Sequence, residues 1–135
     1  MAQTVPFEIS GQLQKSGSVI LDANGNGVLT FDPDNMRQRW EVSSVYVSTD
    51  QLASATVVPV ATLAVNSTDA TTTSGANKRG STWSGNQDTF IGKTDIGPCD
   101  FLSVIFSCAP GQNASLLAGV KATAVVAGTK YTRRS

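Results

Sequence analysis

The run Arg39-Trp40-Glu41-Val42-Ser43-Ser44-Val45-Tyr46-Val47-Ser48-Thr49 decides how this chain is read. Its β-branched and aromatic residues lose rotamer freedom in a helix but pack well on a pleated surface, so the run is expected to be a strand. On strict alternation Trp40, Val42 and Tyr46 share one face with Ser44 and Ser48, while Glu41, Ser43, Val45 and Val47 share the other. Neither face is cleanly apolar or polar. In a two-layer fold one face fills the core, and the partly apolar remainder becomes a candidate contact for a neighbouring subunit.

Outward from this run, strand-like segments separated by turn residues recur along the chain, and helical periodicity is scarce. Towards the N-terminus, a strand through Phe7, Ile9 and Leu13 is expected to end in a polar turn at Lys15-Ser16-Gly17. Ser18 to Leu21 and Val28 to Phe31 flank Asp22-Ala23-Asn24-Gly25-Asn26-Gly27, whose Asn-Gly pairs supply the positive φ of a tight hairpin. Asp32-Pro33-Asp34-Asn35 reads as the turn that leads into the Trp40 strand.

Towards the C-terminus, the strand from Ala55 to Val65 contains Pro59, which cannot donate to a ladder, so it is interrupted there or lies at an edge. Residues 66–95 are rich in Ser, Thr, Gly and Asn and read as a long surface loop carrying a short strand. Phe101 to Cys108 is an apolar strand. Ser115 to Val126, which could open as a helix at Leu116, reads as a strand pairing with it across the Pro110-Gly111 turn. Seven or eight short strands without long crossover helices define an all-β, single-domain antiparallel β-sandwich or jelly roll over residues 1–135, ending in a short basic tail from 129 to 135.

Composition narrows the function classes. The 135 residues suit one domain and one core. Lys plus Arg and Asp plus Glu number 10 each, so no net field recruits nucleic acid or an anionic membrane. Only 15% of residues are charged, which leaves a surface of Ser, Thr, Asn, Gln and Gly, and a zero net charge removes the repulsion that keeps copies apart. The N-terminus lacks a basic region followed by a long apolar run, so neither a signal peptide nor a membrane anchor is expected. Cys99 and Cys108 flank an extended run and would lie ~30 Å apart. A disulfide needs about 4.4–6.8 Å between α-carbons, so two buried, unpaired thiols are expected.

Candidate sites are few. Asp22 to Gly27 matches the first half of an EF-hand loop, but position twelve is Pro33 rather than a bidentate Glu, and a plain turn is the better reading. The spacing of Asp88, Asp95 and Asp100 selects no acid-base pair. With no histidine in the chain, neither cysteine has the usual activating base, and no catalytic, metal-binding or cofactor-binding residue is expected. Trp83 and Tyr46, with Asn86, Gln87 and Asp88, hold the ingredients of a carbohydrate-binding face, an aromatic platform beside hydrogen-bonding groups. The basic pairs Lys78-Arg79 and Arg133-Arg134 are candidates for contact with acidic surface on an adjacent subunit.

Taken in order, Gly25-Asn26-Gly27-Val28-Leu29-Thr30-Phe31, Trp40-Glu41-Val42-Ser43-Ser44-Val45-Tyr46-Val47, Thr82-Trp83-Ser84-Gly85-Asn86-Gln87-Asp88 and Leu102-Ser103-Val104-Ile105-Phe106 resemble small all-β virion structural proteins of tailed bacteriophages. The resemblance implies a non-enzymatic subunit of the tail, baseplate or capsid decoration, made in the host cytoplasm and carried in the virion. Its implied partners are copies of itself and other particle proteins, with no cofactor, no membrane and no nucleic acid. The alternative function is a host-surface carbohydrate-binding module.

Overall fold

The structure, a computed structural model, describes residues 7–68 and 78–133. Eight strands run in chain order: β1 Phe7–Ile20, β2 Gly27–Phe31, β3 Gln38–Thr49, β4 Val60–Val65, β5 Lys78–Ser84, β6 Asp88–Ile96, β7 Leu102–Ser107 and β8 Lys121–Arg133. A short 3-10 helix, Ala114–Leu117, precedes β8. The strands form two antiparallel four-stranded sheets, sheet A in the order β1-β8-β3-β6 and sheet B in the order β2-β7-β4-β5. The fold is thus an all-β sandwich.

The strand order has a simple rule. β1 pairs with β8, β2 with β7, β3 with β6 and β4 with β5. This is an antiparallel ribbon doubled back at the β4–β5 connection and rolled until β8 meets β3 and β7 meets β4. The result is the jelly-roll arrangement. Only β4 to β5 stays within one sheet, and every other connection crosses the core.

Several local expectations yield to this roll. The Asn-Gly segment is a turn but not a hairpin, because β1 and β2 lie in different sheets. Asp22 Oδ1 accepts from the backbone N–H groups of Asn24 (2.8 Å) and Asn26 (3.0 Å), and Gly25 takes φ +76° against Leu117, so the loop is a self-capped corner. That use of its carboxylate is the structural fate of the half EF-hand motif. Lys15-Ser16-Gly17 does not turn at all, since each residue continues the ladder to β8 and the long-range pairing outweighs turn composition. β8 pairs with β1 and β3 rather than with β7. Residues 66–95 contain β5 and all but the last residue of β6, and most of the expected basic tail lies inside β8. At Pro59 the chain is interrupted as expected, with β4 starting at Val60.

The mixed faces of the Trp40 strand also resolve. Trp40, Val42, Val45 and Val47 are all buried in one core. Strict alternation cannot bury both Val42 and Val45. A one-residue bulge at Ser43 does, because against β8 Val42 pairs with Gly128 and Ser44 with Ala127, leaving Ser43 unpaired and pointing out. The partly apolar outer face expected of β3 is therefore reduced to Tyr46 among Glu41, Ser43, Ser44 and Ser48.

Trp40 closes one end of this core. Its indole Nε1–H donates to Gln38 Oε1 at 2.8 Å, and the same oxygen accepts from the Asp34 backbone N–H at 3.1 Å. The indole dipole is satisfied where water cannot reach it. Beside it, Lys15 Nζ donates to Asp34 Oδ1 at 3.0 Å, tying β1 to the β2–β3 loop. That hydrogen bond, with the charges of Lys15 and Lys130, holds the Asp34 carboxyl below its ordinary value. A carboxyl lowered on folding adds stability above its unfolded pKa, about 3.9, and loses it as pH falls through the folded value. The urea midpoint of the wild type should therefore exceed that of Asp34→Asn at pH 7, with the gap closing below about pH 4 and shrinking in ~0.5 M salt because the pair is exposed.

Candidate assembly surface

Sheet A is built from the longer strands of the sandwich. At its centre the register aligns Gln14, Ala127, Ser44 and Ile91 in one row and Ser16, Val125, Tyr46 and Thr89 in the next. Neither row carries a charge. Ile91 is 81% exposed and Tyr46 41% exposed, so the middle of the face is apolar groups set among hydroxyls and amides. The nearest charges, Glu41 and Lys93, form an ion pair at 3.7 Å towards one end of the sheet. In the next row beyond, the Arg39 guanidinium lies 4.1 Å from the centre of the Tyr131 ring, with Ile9 exposed on the far side of Tyr131. The centre of the outer face of sheet B differs, for Thr62, Ala64, Ser103 and Ile105 are all buried.

The residues singled out from sequence are spread over this frame. Trp83 pairs with Ala61 and faces the interior, half-buried against the core, its ring 5.3 Å from that of Phe90. Tyr46 is on the outside of sheet A, so the two aromatics stand on opposite sides of a sheet and share no platform. Trp83 Nε1 is buried with no hydrogen-bond partner among the described residues. Asn86 Oδ1 accepts from the Thr49 backbone N–H at 3.0 Å and caps the end of β3. Asp88 Oδ1 accepts from the Thr89 N–H at 2.9 Å, while Gln87, at φ +52°, forms the tip of the turn. These side chains hold the β5–β6 corner in shape.

Arg133 is exposed at the end of β8, where its N–H donates to the Arg37 carbonyl at 2.6 Å. Lys78 and Arg79 open β5. Their side chains, and Arg134 altogether, lie outside the described residues. Asp88 and Asp95 sit seven residues apart on β6, one turned inward and one outward, so their carboxyls are ~23 Å apart along the strand. A glycosidase pair needs about 5–9.5 Å. Asp100 is engaged in its own turn, accepting from Asn66 Nδ2 at 2.8 Å and from the Gly97 N–H at 3.0 Å. No group of three or more acidic or cysteine side chains converges among the described residues.

Cys99 and Cys108 are unpaired, but neither is buried as expected: Cys99 is exposed in the β6–β7 turn, and Cys108, just past the end of β7, is half-buried. Its sulfur lies 3.6 Å from Met36 Sδ. Sequence reasoning missed Ile91 and the length of β1. The alternation through Phe90, Ile91 and Gly92 could have flagged the first, whereas the second required knowing the partner strand. No family model matches the chain, and no curated protein matches it at a significant level.

Proposed function

We propose that this protein is a non-enzymatic structural subunit of a bacteriophage virion, acting in the tail, the baseplate or the capsid surface through contacts with copies of itself and with other particle proteins. The observation that carries the reading is the strand order. A ribbon rolled so that each of the eight strands pairs with its mirror in the sequence is the architecture of viral coat subunits, and also of some lectins and cupins. The fold analogy is supported by the sequence resemblance and by the charge-free centre of the outer face of sheet A. A lectin-like use finds less support, since the aromatic that would form its platform is turned into the core.

A face whose centre is hydroxyls and amides with isolated apolar groups suits many weak contacts repeated by symmetry. Quantitative mass spectrometry of gradient-purified particles tests the reading. The chain should co-band with the particles at a fixed, multiple-copy ratio to the major coat protein. A chain that is absent, or present only in traces that wash away, overturns it.

A further inference from the structure

β1 is an edge strand of 14 residues, and among the described residues no strand pairs on its outer side. Its hydrogen-bonding phase follows from its C-terminal end. The Leu21 N–H donates to the Val120 carbonyl (2.8 Å), and the Leu21 carbonyl accepts from the Gly119 N–H (3.0 Å), with Gly119 at φ +80°. That is a glycine bulge closing the β1–β8 ladder at Leu21. In an antiparallel ladder alternate residues bond to the same neighbour, so Val19, Gly17, Lys15 and Leu13 bond to β8. Gln12, Gln14, Ser16, Ser18 and Ile20 aim both backbone groups at the open edge.

Edges of this length are ordinarily guarded by lysines on the edge, inward-pointing charges, prolines, bulges or a covering segment. From Gln12 to Ile20 there is no proline, and the β1 bulge lies before this stretch, between Ile9 and Gly11. The stretch has one charge, Lys15; it is turned inward, where an unpaired ammonium would oppose a second strand, but its charge is already matched by Asp34 of the same chain at 3.0 Å. We propose that this edge is completed by the same edge of a second copy, the two β1 strands pairing antiparallel about a two-fold axis at Ser16. The proposal deepens the assembly reading above by naming the surface and the first partner.

The register is chosen by chemistry. Centred on Ser16, each strand sets Leu13 against Val19 of the second copy on the inner side, and Gln14 against its Ser18 on the outer side. Lys15 faces Gly17, which leaves room for its stem and opposes no like charge. Centring on Lys15 would put two ammonium groups face to face, and centring on Gln14 would set Leu13 against Lys15. With Ser16 on the axis, the five edge residues of each strand exchange about ten backbone hydrogen bonds. Sheet A then continues as eight strands across the dimer, an isologous contact with the outer faces of both copies on the same side.

The test uses the purified full chain without particles, so it reads the edge alone, whatever the particle measurement finds. In a Cys99→Ser, Cys108→Ser background, Ser16→Cys should oxidise to a covalent dimer, since facing residues in a bonded pair have α-carbons ~5.5 Å apart. Gln14→Cys should not, because its copies are offset by four residues, ~13 Å. Ser16→Pro should keep the monomer fold, because the N–H it removes points away from β8, and should raise the dimer dissociation constant at least about tenfold in sedimentation velocity. A monomeric mass at millimolar concentration overturns the proposal. So does equal cross-linking at positions 14 and 16, or an undiminished dimer with a folded Ser16→Pro.

Discussion

Gly128→Ala is expected to leave the protein largely unfolded, by a loss of more than about 4 kcal/mol out of the 5–15 typical of a domain. A methyl on Gly128 would overlap the Glu41 carbonyl oxygen and lie 2.9 Å from the Val42 α-carbon. Both obstacles are backbone, so no side-chain rotation relieves them. The close approach is a product of the Ser43 bulge, which follows Val42, the partner of Gly128 in the β3–β8 ladder. Moving β3 away would part the two central strands of sheet A and open the Trp40 side of the core. The control is Gly119→Ala, where nothing lies within 4 Å of the added methyl and the positive φ alone costs about 1–2 kcal/mol. Circular dichroism and urea titration of the two variants measure the contrast, and a Gly128→Ala protein within 1 kcal/mol of wild type would show that the bulge is not where the register puts it.

Trp40→Ala ranks next. The side chain is fully buried at the end of the core, and removing it should cost about 3–5 kcal/mol through lost burial and the cavity left behind. Trp40→Phe separates two contributions. It keeps most of the ring but removes the N–H that Gln38 Oε1 accepts, leaving that buried oxygen with the Asp34 N–H alone. A loss of about 1–3 kcal/mol is expected for this variant. If Trp40→Phe is as damaging as Trp40→Ala, the hydrogen bond outweighs the packing. If it is neutral, the Gln38 bond contributes nothing net.

These two residues also mark what could be read in the sequence. The Trp40 strand was legible because residue type and local spacing suffice to name a strand. Its bulge was not, since a single extra residue shifts the phase of alternation, and the partner that reveals the shift is more than eighty positions away. An isolated glycine within Val126-Ala127-Gly128-Thr129 was the available signal, because glycine inside a strand marks a bulge or a close backbone approach.

The topology failed locally for the same reason. In a rolled ribbon β1 meets β8 with Phe7 opposite Arg133, so the pairing that decides the register leaves no local trace. Asn-Gly at the first corner carries the chemistry of a tight turn, and the turn is there. Whether the chain returns to the same sheet depends on where β7 and β8 lie. For the candidate surface, the sequence named Tyr46 and Trp83 together as one face. The fold separates them, because the residues paired with each, Thr89 and Val125 for one and Ala61 for the other, belong to opposite sides of a sheet.

Electron cryo-microscopy of purified particles would locate the subunit and its contacts. Repeated copies of this two-sheet unit are expected, with the edge or the charge-free centre of the outer face of sheet A against a neighbour. Well-resolved particle maps containing no copy of the chain would overturn the proposed role, as would copies whose sheet A faces solvent on every side.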